Sequence, residues 1–117
     1  MRPSSPVIVM SSVPDYPGGP FDDTSLLDEL VGSVRPTVRH QNLEAARQRA
    51  GGVLAVERRL ASSAERMLVV DPLPLLCGTD CAQAMDGKLL YLDTDHLTYD
   101  GAMRLADGLL PILKALD

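Results

Sequence analysis

The chain has 117 residues, 45% of them hydrophobic and only 3% aromatic, with 11 basic residues set against 16 acidic ones for a formal net charge of −5. That size and composition suit one small globular domain, one that buries roughly two-thirds of the surface its unfolded form would expose. An acidic balance without a basic cluster or tryptophan offers little to a phosphate backbone or to stacked bases, so nucleic acid is not an expected partner.

In chain order, Pro6-Val7-Ile8-Val9-Met10-Ser11-Ser12-Val13-Pro14 is an apolar run bracketed by prolines, the pattern of a strand buried on both faces in a parallel sheet. Its apolar stretch is too short for a signal-peptide core or a membrane span, so no export signal is expected within this chain. The prolines and glycines of Asp15 to Pro20 predict a loop. Residues 22–34 predict a helix carrying Leu26, Leu27, Leu30 and Val31, ended before Pro36. A longer helix is predicted over 38–62, with Leu43, Ala46, Ala50, Val53, Leu54 and Leu60 on one face. Gly51 and Gly52 lie in its middle, each costing about 1 kcal/mol relative to alanine, which places a bend or break there.

Met67 to Val70 predicts a second buried strand, stopped by Asp71-Pro72. Lys88 to Leu92 predicts a third and shorter one, opened by the Asp86-Gly87 turn. A final helix is predicted from Tyr99 to Leu116, capped by Thr98 and striped with Ala102, Leu105, Leu109, Ile112, Leu113 and Leu116. Pro111 lies inside that stripe and predicts a kink or a late break. Strands alternating with helices in this order predict an α/β sandwich on a short parallel sheet.

Ligands of open α/β sheets gather beyond the carboxyl ends of the strands, which is where Asp93-Thr94-Asp95-His96 falls. A histidine three residues after an aspartate in such a turn can fold its ring back so that the carboxylate holds one N–H, leaving the other nitrogen as a general base. The same residues also read as a plain polar loop, with Asp95 and Thr98 capping the last helix and His96 merely packed. Cys77 and Cys81, four apart, match neither a CxxC redox motif nor half of a zinc site. Two free thiols and a local disulfide both remain open on the spacing. His40 has no carboxylate at the Asp93-to-His96 spacing and reads as a surface residue. A metal site from Asp93, Asp95 and His96 is the weakest reading, because Thr98 stands at the sixth loop position where a calcium EF-hand needs glycine.

Val69-Val70-Asp71-Pro72, Leu76-Cys77, Cys81, Leu90-Tyr91-Leu92-Asp93-Thr94-Asp95-His96-Leu97-Thr98 and Gly101-Ala102 before a closing amphipathic helix together resemble the end of the SGNH domains fused to acyltransferase-3 membrane O-acetyltransferases. The resemblance is most specific over residues 67–113 and looser around Val7 to Pro14. It implies a partial three-layer α/β/α domain of the SGNH or flavodoxin-like kind filling residues 1–117. It also implies an activity, serine esterase or O-acyltransferase chemistry on acylated cell-surface polysaccharide or peptidoglycan sugars. Asp93 would then be the triad acid, His96 the base, Asp95 and Thr98 supports, and Cys77/Cys81 an extracytoplasmic disulfide. No metal or organic cofactor is implied.

The family's serine lies in a Gly-Asp-Ser motif, and its oxyanion donors include an asparagine from a Gly-x-Asn-Asp-like block. Here no serine follows Gly-Asp, and the only asparagine is Asn42. Ser11 and Ser12 at a strand end lack the glycines of a nucleophile elbow. The expectation is therefore the C-terminal part of such a domain, pairing with an N-terminal SGNH fragment or with an acyltransferase-3 membrane domain at the periplasmic face. The alternative is a catalytically dead α/β binding module of the same descent.

Overall fold

The computed structural model describes residues 5–116 and is an α/β arrangement on a short parallel sheet. β1 (Val7–Met10) pairs in parallel with β3 (Met67–Val70), Val7 opposite Met67 and Met10 opposite Val70. Both strands are uninterrupted runs of branched or flexible apolar residues, which suit a pleated surface covered on two sides. The ladder continues past β1, where the Ser11 N–H donates to the Val70 carbonyl at 2.9 Å. Because the strands run the same way, Ser11, Ser12 and Asp71 leave the sheet together at its carboxyl edge.

The segment between these strands departs from the expected helices. α1 (Leu26–Leu30) spans far less than residues 22–34, and its three leucines are 68–75% exposed. A Ser25/Asp28 capping box fixes its start, but with no core to cover, its apolar face gives it no reason to extend. The single helix expected over 38–62 is three elements: β2 (His40–Asn42), α2 (Leu43–Ala50) and α3 (Val53–Ser62). Asn42 starts α2 by accepting the Ala45 N–H at 2.7 Å, and Gly51 ends it at φ 65°, a backbone conformation that favours glycine. Residues 40–42 are drawn into an antiparallel pair with β4 (Asp80–Ala82), His40 opposite Ala82. α3 packs on β3.

After β3, Asp71 accepts the Leu73 N–H at 3.0 Å and opens a one-turn helix, α4 (Leu73–Leu76), that the sequence pattern does not announce. β5 (Ala84–Met85) and β6 (Lys88–Leu89) form an antiparallel hairpin. Its turn is the expected Asp86-Gly87, at φ 54° and 76°. The third strand is thus corrected: it ends at Leu89 and pairs locally instead of joining the parallel sheet. α5 (Tyr99–Lys114) starts at the expected Thr98 cap and runs through Pro111 for one more turn.

The core sits at the carboxyl side of the sheet, around Tyr16, Ala46, Leu73, Cys77, Cys81, Leu90 and Tyr91. The Tyr16 and Tyr91 rings meet edge to face at 4.9 Å. Burial pushes the Tyr16 phenol up to about 12 and raises the Tyr91 phenol further still, mainly by desolvation. A Cys77–Cys81 disulfide closes the chain over this core. Gln83, fully buried, accepts the Arg39 N–H at 3.0 Å and donates to the Gly18 carbonyl at 2.7 Å, tying the loop after β1 to the rest.

Candidate active site

The Asp93–His96 turn is pinched at its base by local backbone pairing. The Leu92 N–H donates to the His96 carbonyl and the Thr98 N–H to the Leu90 carbonyl, both at 2.8 Å. Within the turn, Asp93 Oδ1 accepts the Asp95 N–H at 3.0 Å and the His96 N–H at 2.8 Å. Those two backbone donors, Asp95 first, and then the His96 ring hold the Asp93 carboxyl well below the usual range, at about 2.

The His96 ring turns back onto this carboxylate, with Nδ1 2.9 Å from Asp93 Oδ2. The same nitrogen is 3.1 Å from Asp95 Oδ1. An ionised carboxylate accepts only, so the contact calls for a proton on Nδ1, and in the neutral ring that leaves the Nε2 lone pair free. Nε2 makes no hydrogen bond among the described residues, and the His96 side chain is 74% exposed. The arrangement is an oriented imidazole able to take a proton from an approaching hydroxyl.

Thr98 anchors the turn to α5: its hydroxyl donates to the Leu89 carbonyl at 2.6 Å and accepts the Gly101 N–H at 3.0 Å. Gly101 is required here because a Cβ would collide with the Leu90 carbonyl oxygen.

Three residues that are not candidates for the site itself support the turn from below. The Tyr16 N–H donates to the Thr94 carbonyl at 2.9 Å, and the buried Tyr91 hydroxyl donates to the Pro14 carbonyl at 2.7 Å. Gly19 lies against the Asp93 backbone. Tyr91 stands in the motif that carries the family resemblance, whereas for Tyr16 and Gly19 the only sequence signal is the density of prolines and glycines from Pro14 to Pro20.

The other candidates fall elsewhere. Ser11 is buried, and its hydroxyl donates to Glu57 Oε1 at 3.3 Å. Ser12 is exposed and borders a shallow hollow of about 420 Å³ with Asp95, Asp15 and Arg49. His40 is exposed on β2, away from this cluster in sequence and pairing. Among the described residues, Asp93, Asp95 and His96 are the group that could hold a metal, their ligand atoms lying within 4.8 Å of one another. In that cluster Asp93 already accepts two backbone N–H groups and the ring N–H, so its lone pairs are largely committed.

The parallel α/β sheet and the aspartate-oriented histidine in the turn before the last helix agree with the hydrolase- or acyltransferase-like class that the family match gives. The family model for the SGNH domain fused to AT3 domains matches residues 2–111, and the chain belongs to that family. The match takes in β1 and α1, well beyond the stretch where the motifs concentrate. Neither a curated protein nor a solved structure matches the chain. No helix among the described residues is long and apolar enough to cross a membrane.

Proposed function

We propose that this chain supplies the aspartate–histidine arm of a serine esterase or O-acyltransferase acting on acylated cell-surface polysaccharide or peptidoglycan sugars. The observation that carries this reading is the 2.9 Å contact between Asp93 Oδ2 and His96 Nδ1 with Nε2 unengaged. In the reaction a serine hydroxyl attacks the acyl carbon while His96 Nε2 takes its proton, and Asp93 stabilises the imidazolium that forms. His96 then returns the proton to the leaving sugar oxygen. The acyl group passes from the serine to water or to a second sugar hydroxyl, deprotonated by the same nitrogen.

The serine and the oxyanion donors come from a segment outside this sequence, making the chain one part of an SGNH domain. Two features favour this partition. No serine follows Gly-Asp, and β1 and β3, apolar on both faces, are only partly covered apart from the buried Val70, in a molecule 58 Å long and 27 Å across. The disulfide suits an oxidising compartment such as the periplasmic face of a membrane, alongside an acyltransferase-3 domain.

The test is reconstitution. Alone, the chain leaves p-nitrophenyl acetate at its buffer hydrolysis rate. A separately expressed segment bearing the Gly-Asp-Ser serine and the asparagine block restores turnover, and His96→Ala abolishes the gain. Turnover by the chain alone that disappears in His96→Ala overturns the partition. Failure to restore turnover, with acetylated sugar bound equally by wild type and Asp93→Ala, identifies a binding module instead.

A further inference from the structure

A second cleft, of about 210 Å³, lies over the carboxyl ends of the two parallel strands, where open α/β sheets receive ligands. Ser12 after β1 and Asp71 after β3 line it, together with Arg47 of α2 and Leu54 and Arg58 of α3.

Among the described residues, the unpaired charge lining this cleft is cationic. Asp71 is paired, one oxygen accepting from Arg47 Nη1 at 2.9 Å and the other from the Leu73 N–H at 3.0 Å. Glu57, whose Oε2 is buried without a partner, lies behind Ser11 and does not line the cleft. Arg58 forms no ion pair among the described residues, and the Ser12 hydroxyl makes no hydrogen bond among them. Arg47 keeps further N–H groups beyond the one given to Asp71. A planar guanidinium fork without a carboxylate partner, beside a hydroxyl that can donate, suits a carboxylate. Leu54 adds an apolar wall on which the C–H face of a ring can rest.

This cleft also adjoins the hollow beside the Asp93–His96 turn. Ser12 and Ala50 line both it and the hollow bordered by Asp95, the immediate neighbour of His96.

We propose that the cleft binds a carboxylate-bearing sugar of the acylated substrate. Its carboxylate sits on Arg58 and Arg47, its ring lies against Leu54, and its acylated hydroxyl points past Ser12 toward His96. The identity of this sugar as substrate rests on the esterase or acyltransferase reading; its binding does not.

The test is a titration of the full chain, followed by amide NMR, with glucuronate, glucose and acetate as probes. Glucuronate should saturate with shifts centred on Ser12, Ala50 and Arg58. Arg58→Gln should weaken it about fivefold or more, and Arg58→Lys should recover part of the loss. Arg58 is exposed, so the variants keep the fold, which the same spectra verify. Glucose binding as well as glucuronate overturns the carboxylate assignment. Acetate binding as well as glucuronate overturns the sugar assignment, and indifference to Arg58→Gln overturns the site. Glucuronate bound here by a chain that fails reconstitution would leave the cleft standing and remove only the catalytic reading.

Discussion

Gly19 and Asp93 are in backbone contact: a Cβ added at Gly19 would lie 3.0 Å from the Asp93 Cα and 3.3 Å from its carbonyl carbon. The loop after β1 is therefore a floor for the Asp93–His96 turn, and the floor has no room for a side chain. Gly19→Ala should cost about 1–3 kcal/mol, as other overpacked sites do, seen as a lower melting temperature by circular dichroism. It should also lower reconstituted esterase turnover by displacing Asp93.

The Tyr91 hydroxyl is the buried strut between that floor and the last strand-like segment. Tyr91→Phe removes the donor and leaves the Pro14 carbonyl unpaired, with a cost of about 1–3 kcal/mol. Urea unfolding should show the loss as a lower midpoint at unchanged slope.

Acid should release the turn late. The folded Asp93 carboxyl lies at about 2, below its ordinary 3.8. A depressed carboxylate stabilises the fold fully above its unfolded value, and that contribution disappears as the pH falls through the folded one. Carboxyl-carbon NMR should put the Asp93 midpoint near pH 2, with the Asp95 and His96 amides losing their downfield shifts over the same range. A midpoint near 4 would mean that the backbone donors do not hold it.

Reducing the Cys77–Cys81 bond opens a loop of only a few residues, worth about 2 kcal/mol on the loop-entropy account. The Cys77→Ser/Cys81→Ser variant should melt roughly 10 °C lower. The wild-type protein treated with a reductant should match it.

The parts of the fold that can be read from sequence are those whose partners are local or whose pattern is unbroken. The apolar runs at Val7–Met10 and Met67–Val70, the Thr98 cap and the Asp93-to-His96 spacing all belong to this group. Residues 40–42 read as helix because their strand partner, Asp80–Ala82, is distant in sequence. The leucines of α1 mimic a core-facing stripe, yet they face no core. Tyr16 and Gly19 matter to the site only through contacts with the Asp93 turn across the length of the chain, and no spacing rule encodes such contacts.

Whether one carboxylate fixes which nitrogen of one ring bears the proton can be measured directly, by ¹⁵N NMR of the neutral His96 imidazole. With Asp93 in place, Nδ1 should be protonated and Nε2 bare, and Asp93→Ala should shift the balance toward the Nε2–H form that free imidazoles favour. A wild-type ring already carrying its proton on Nε2 would contradict the account, because it would have no free base to offer a serine.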